Sequence, residues 1–331
     1  MIRPTIEEVA ALAGVSRSTV SRVVNGATAV SPAALEAVQR AIAELNYAPN
    51  RAARSLASRQ AHAIGLVIPE DVARFFGDPF LAEVVTGVNG RLADSDHVLN
   101  LLIASDDGDK MTRFVRDGGV DGAIIVSHHT SDTFIDRIMD AVPVVFGGRR
   151  ADGRVTDCVV DVDNLQGGRT ATEHLLALGR RRIATITGPL TMAVGLDRRD
   201  GYRAALAAAG LEPAGEIDGD FRAQGGADAA RALLAQPERP DAIFAASDLM
   251  ARGALDVLQS AGLRVPDDVA VVGFDDSAVA AASALTSVRQ PMLRQGEVLA
   301  ELMLDLLAGR PTPALTVLPT ELIVRESAPA L

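Results

Sequence analysis

Seven short apolar runs recur along most of the chain: AIGLVIPE from residue 63, VLNLLIA from 98, GAIIVS from 122, VPVVFGG from 142, IATITGP from 183, AIFAAS from 242 and VAVVGF from 269. Each is too short for a buried helix and lacks the alternation of a half-exposed sheet. Unbroken hydrophobicity of this kind marks parallel strands covered on both faces. The covers are the amphipathic stretches between the runs, such as the helix predicted from about 165 to 178. Arg182-Ile183-Ala184-Thr185-Ile186 restarts the pattern begun at Ala63-Ile64-Gly65-Leu66-Val67, which predicts two similar doubly wound α/β halves. A cleft between such halves is the natural place for a ligand.

The first 60 residues follow another rhythm. Thr5-Ile6-Glu7-Glu8 reads as a capping box, the Thr5 hydroxyl accepting from the third helical N–H and Glu8 reaching back to the Thr5 N–H. Ile6, Val9, Ala10 and Ala13 form one apolar face, and Gly14 supplies the positive φ that ends a short helix. Ser16 caps a second helix that turns Val20, Val23 and Val24 inward and Arg17, Ser18, Ser21, Arg22 and Asn25 outward. A third starts at Ser31-Pro32, with Leu35, Val38, Ile42 and Leu45 as its buried stripe. The three-residue link Gly14-Val15-Ser16 matches a helix-turn-helix, whose second helix enters the major groove.

Charge is divided along the same line. The 331 residues carry a net charge of -11, which argues against binding to DNA phosphates. Residues 1 to 60, however, hold seven arginines against four glutamates, leaving 25 basic against 39 acidic residues in the rest. A basic head on an acidic body suits a DNA-reading head. No apolar run reaches the roughly 18 residues of a membrane span, and Glu7 and Glu8 stand where a secretory signal needs an apolar stretch, so a cytoplasmic protein is expected. Cys158 is the only cysteine and the five histidines are scattered, so neither a disulfide nor a metal is expected. Without a G-x-G-x-x-G after the first strand, a Walker lysine or a G-x-S-x-G elbow, neither a cofactor nor an enzyme is expected.

The wording of the head, TIEEVAALAGVSRSTVSRVVNGATAVSPAALEAVQRAIAELNYAPNRAARSLAS at 5 to 58, resembles the LacI family of repressors. The likeness continues in DVDNLQGGRTATEHLLALG at 161 to 179, DRRDGY at 197 to 202, PDAIFAASDLMARGAL at 240 to 255, and VAVVGFDDS with LTSVRQP between 269 and 291. It implies an all-α helix-turn-helix head at 1–48, a hinge helix and linker at 49–61, and a periplasmic-binding-protein-like body at 62–331 for effector binding and dimerisation. The body's N-subdomain would take about 62–161 plus 290–318 and its C-subdomain about 162–289 plus 319–331, with the chain crossing near Asp161, Arg289 and Leu318.

Carried over residue by residue, the resemblance puts Arg17, Ser18 and Arg22 at base edges. Thr5, Ser16, Thr19, Ser21 and Asn25 fall at phosphates, and Asn50, Ala53 and Leu56 at the minor groove, where Leu56 would wedge between base pairs. It places the effector against Arg198, Asp248 and Asp275, with Phe80 and Phe221 as walls and Ser127, Arg149 and Asp163 near the rim; Phe146 reads as core. One departure is Ala284, where the family usually has proline.

Two carboxylates and a guanidinium suit the hydroxyls of a sugar, and phenyl faces cover its C–H side. The expected function is therefore a repressor of carbohydrate-utilisation genes, binding double-stranded operator DNA under a sugar-like effector. The alternative is a corepressor-dependent repressor answering to a purine or other non-sugar metabolite. A transport binding protein would share the body but has no use for the head. One short head buries too little for specificity, so a homodimer on a palindrome is expected. With no heptad run near Glu326 to Leu331, a tetramer is not.

Overall fold

The computed structural model describes residues 4–24, 30–47, 60–103, 108–154 and 158–330. The chain divides into two compact units, Met1–Ala61 and His62–Leu331.

The smaller unit contains α1 (Ile6–Ala13), α2 (Arg17–Val24) and α3 (Pro32–Glu44). The capping box forms: Glu8 N donates to Thr5 Oγ1 at 3.3 Å and Thr5 N to Glu8 Oε2 at 2.7 Å. Gly14 ends α1 at φ 66°. Ser16 Oγ accepts from Thr19 N at 3.1 Å and starts α2. Val9, Ala10, Val20, Val38 and Ala41 form the core, with Val15, Val23, Val24, Ile42 and Leu45 packed around it. One expectation fails. Leu35 is 39% exposed, because the stripe of α3 begins a turn later at Val38 and runs through Ala41, Ile42 and Leu45.

The larger unit has two six-stranded sheets. In chain order its elements are β1 (Ala63–Ile68), α4 (Val72–Gly77), α5 (Pro79–Leu92), β2 (Val98–Ile103), α6 (Gly108–Phe114), β3 (Gly122–Val126), α7 (Phe134–Met139), β4 (Val144–Gly147), β5 (Val159–Val162), α8 (Asn164–Ala177) and β6 (Ile183–Thr187). They continue with α9 (Ala193–Ala208), β7 (Glu216–Asp218), α10 (Ala223–Leu234), β8 (Ala242–Ala245), α11 (Asp248–Ser260), β9 (Ala270–Asp275), α12 (Ala278–Ala282), β10 (Thr286–Arg289), α13 (Met292–Leu307), β11 (Leu315–Leu318) and β12 (Glu321–Ile323).

The sheet orders are β2-β1-β3-β4-β5-β11 and β7-β6-β8-β9-β10-β12. All pairings are parallel except β10 with β12. The equal rank order of the two sheets bears out the two similar halves. The chain passes from the first sheet to the second between β5 and α8. It returns after β10, since α13 packs on α5, β3 and β4, and it leaves again between β11 and β12.

All seven apolar runs are strands. β1, β3, β6, β8 and β9 are buried along their whole length. β2 is not, because it is a sheet edge, and Leu101 is largely exposed there. Ala284 adopts φ 48°, which a proline ring forbids.

Candidate functional site

Parallel strands of this order aim their C-terminal ends at one crevice. In the larger unit the loops after β3, β4, β7, β8 and β9 line a cleft of mixed polar and aromatic walls. Phe80, Ser127, Arg149, Arg198, Phe221 and Asp275, six of the eight sequence-derived effector residues, line it. Three of these, Ser127, Phe221 and Asp275, hold positive φ values of 58°, 50° and 113°. Backbone of that kind costs about 1–3 kcal/mol per residue and collects where geometry serves a ligand.

Arg198 is the buried centre of the cleft. It lies on α9, whose close approach to α8 depends on glycine: a methyl group on Gly168 would overlap the Arg198 carbonyl. Its Nε donates to Asn164 Oδ1 at 2.9 Å and its Nη1 to the Ala246 carbonyl at 2.7 Å. The guanidinium stacks over the Phe274 ring at 3.6 Å and lies 3.6 Å from Asp275 Oδ1. Burial lowers its proton affinity, with Asp275 opposing that effect. Burial likewise raises the Asp275 carboxyl well above the usual range; Arg198 offsets part of this, whereas Asp248 and Asp78 add to it. Gln290 Nε2 donates to Asp275 Oδ1 at 2.6 Å.

Two expected effector residues lie elsewhere. Asp248 does not line the cleft; Ser247 takes that place as cap of α11, accepting from Met250 N. The Asp248 carboxylate is consumed internally by Ser277 N at 2.7 Å, Ser277 Oγ at 2.9 Å and Ser287 Oγ at 2.6 Å. Burial raises it to about 6 against the pull of those hydrogen bonds. Asp163 is turned back over α8, its Oδ1 accepting from Gln166 N at 3.1 Å, while Asp161 and Asn164 on either side face the cleft. Phe146 is core, edge-on to His128.

Sequence reasoning missed Arg74, Asp78, Asp161, Asn164, Gln290 and Gln295, all of which line the cleft. Asp78-Pro79 carried a signal, a cap followed by proline at the start of an amphipathic helix. The Asp78 carboxyl accepts from Phe80 N at 3.0 Å and is raised by burial. The cations of this cleft are matched internally. Arg74 pairs with Glu70 at 3.3 Å and Asp220 at 3.2 Å, and Arg149 with Asp161 at 2.7 Å and with Asp197. At the rim Arg222 bonds Asp71 at 2.6 Å, and Thr130 N bonds the Thr191 carbonyl at 3.0 Å. Arg74–Asp220, Arg149–Asp197, Asp71–Arg222 and Thr130–Thr191 each join one half to the other.

In the smaller unit α2 presents Ser16, Arg17, Ser18 and Arg22 to solvent, with Thr19 and Ser21 half-buried beside them; Thr5, capping α1, is exposed. Ser16 Oγ lies 2.8 Å from Ser18 Oγ and 2.9 Å from Thr19 Oγ1. Arg17 pairs with Glu7 at 3.2 Å, but both are well exposed, and such a pair is worth about 0–1 kcal/mol, leaving Arg17 able to exchange it for a nucleic acid. Asn25, Asn50, Ala53 and Leu56, with the hinge expected at 50 to 58, lie outside the described residues.

The smaller unit, with three helices among its described residues and arginines on the polar second one, and the larger unit, with its polar cleft, define a ligand-responsive DNA-binding regulator. Residues 5–50 match the family of bacterial regulatory proteins of the lacI type, and residues 172–328 match a periplasmic binding protein-like domain. The regulator CelR of Thermobifida fusca is 47% identical over 335 residues, covering 98% of both chains. The ribose operon repressor of Escherichia coli is 40% identical, covering 93% of each.

Among solved structures, a complex of CelR with cellobiose matches 98% of this chain and 100% of its own, at 44% identity and TM-score 0.77. The lac repressor dimer bound to operator and the anti-inducer ONPF matches 99% and 100%, at 30% identity and TM-score 0.87. The chain belongs to the LacI family of DNA-binding transcription regulators. Its relatives in these comparisons are regulators, and no helix among the described residues is long and apolar enough to cross a membrane.

Proposed function

We propose that this protein is a cytoplasmic, non-enzymatic repressor of carbohydrate-utilisation genes, controlled by an uncharged sugar in the cleft of the larger unit. The observation that carries this reading is the internal charge balance: Arg74, Arg149 and Arg198 each already face a carboxylate. An anionic ligand would have to displace one of these partners, whereas hydroxyls can bond to the groups as they stand. The Phe80 and Phe221 rings supply apolar walls for a sugar's C–H face. The cellobiose complex of CelR and the ribose operon repressor support the same ligand class.

In this reading residues 62–331 form the effector and dimerisation domain, and a homodimer lays two α2 helices into successive major grooves of operator DNA. Thr5, Ser16, Thr19, Ser21 and Asn25 contact phosphates, Arg17, Ser18 and Arg22 read bases, and Asn50, Ala53 and Leu56 serve the minor groove. A sugar library screened by thermal shift, with the hits repeated in an operator-binding assay, tests it. Uncharged sugars are expected to raise the melting temperature and change operator affinity. A response to nucleobases alone would favour the purine-type corepressor instead.

A further inference from the structure

Among the described residues, two that line the cleft hold a buried side-chain polar atom with no protein partner: Gln295 Oε1 and Arg74 Nε. Both side chains are over nine-tenths buried. An orphaned buried acceptor costs about 1–3 kcal/mol unless something satisfies it. Gln290, five residues earlier, shows the contrast, since its amide is spent on Asp275.

The orphaned pair is held in place by its surroundings. Gln295 N donates to the Pro291 carbonyl at 2.8 Å in the first turn of α13. The next residue, Gly296, packs so closely on α5 that a methyl group there would overlap the Val84 carbonyl. The helix therefore has no room to shift and turn Gln295 away. Arg74 is fixed through Nη1 by Glu70 and Asp220, which satisfies its charge but not its Nε–H.

We propose that Gln295 is a specificity-determining contact, its Oε1 accepting from an effector hydroxyl while Arg74 Nε donates to a neighbouring effector oxygen. This rests on the reading of the cleft as an uncharged-sugar site and names one subsite within it. Gln295 asks for a hydrogen and Arg74 for a lone pair, neither on a charged group, which two hydroxyls of a sugar supply. An ionised phosphate or carboxylate has no hydrogen for Gln295 and would share the cleft with Asp78, Asp161 and Asp275.

The test compares full-length wild type with Gln295→Met, which keeps the side-chain length and removes its hydrogen bonding; Gln295→Leu replaces it if Met lowers the ligand-free melting temperature. Ribose, glucose, cellobiose, glucose 6-phosphate and adenine are titrated by calorimetry, and the best-binding uncharged sugar is followed by its monodeoxy derivatives. The variant is expected to bind that sugar about 5- to 30-fold more weakly, the loss of one hydrogen bond. One monodeoxy derivative should bind wild type more weakly by a similar factor and lose nothing further in the variant.

Variant affinity within twofold of wild type overturns the assignment of Gln295, as does a factor that multiplies with every deoxygenation alike. Tighter binding of glucose 6-phosphate than of glucose overturns the uncharged class. Failure of every sugar on wild type overturns the underlying reading, and is seen before any variant is made.

Discussion

Asp248→Asn separates a structural carboxylate from a ligand contact, through pH. Burial holds the Asp248 carboxyl at about 6, against an ordinary 3.8. That displacement is worth about 3 kcal/mol against the ionised form. The folded state therefore binds this proton more tightly than the unfolded state. Stability from the group is fully present below the ordinary value and is lost as the pH rises through about 6.

Asparagine fills the same space and does not titrate. Urea unfolding of both proteins without ligand, followed by circular dichroism, should show the difference moving toward wild type by about 2 kcal/mol as the pH falls from about 7.5 to about 4.5. Asp275 acts in the same direction, because Asp248 also pushes its carboxyl up. A difference that stays flat with pH, or moves the other way, refutes the reasoning. Were Asp248 a sugar contact instead, the variant would match wild type until sugar was added.

Arg22→Ala should weaken specific operator binding by about 1–3 kcal/mol and leave random-duplex affinity nearly unchanged in a gel-shift titration; equal loss on both would make Arg22 a phosphate contact. Asp275→Ala should abolish the sugar-induced melting shift while operator binding survives, and a retained shift would remove Asp275 from the site. Arg222→Ala breaks the exposed pair with Asp71 across the cleft mouth, so sugar affinity should fall about two- to fivefold, as expected for a pair worth up to about 1 kcal/mol. Asp71→Asn, which can still cap α4 at Arg74 N, should cost about as much, and a loss seen only in Arg222→Ala would assign the effect to the pair of Arg222 with Asp220.

What could be read from the sequence followed the physics of burial. Fully covered strands such as β1 and β9 show as continuous apolar runs because every residue is inside. The elements not foreseen, β5, β7, β10, β11 and β12, are short, and most carry polar residues or lie near a sheet edge. Their pairing is set by partners far along the chain, as when β11 joins β5. The cleft shows the same division. Arg198 and Asp275 sit in motifs, whereas Arg74 and Gln295 reach the cleft through helix packing that no local pattern announces. Asp248 misled because a carboxylate after a strand suits a ligand as well as an internal network, and only the positions of Ser277 and Ser287 decide between them.

The route of the chain between the sheets bears on how the protein is made. The first sheet is begun at residue 63 but closed by β11 at 315–318, and α13, which covers it, arrives only at 292. A ribosome that has released the first half of the body has therefore produced an α/β layer with an open edge and an uncovered face. Neither half can be finished separately, and a premature stop anywhere before β11 damages both. Effector sensing thus waits for the segment from 292 to 318, which leaves the ribosome long after β1 does.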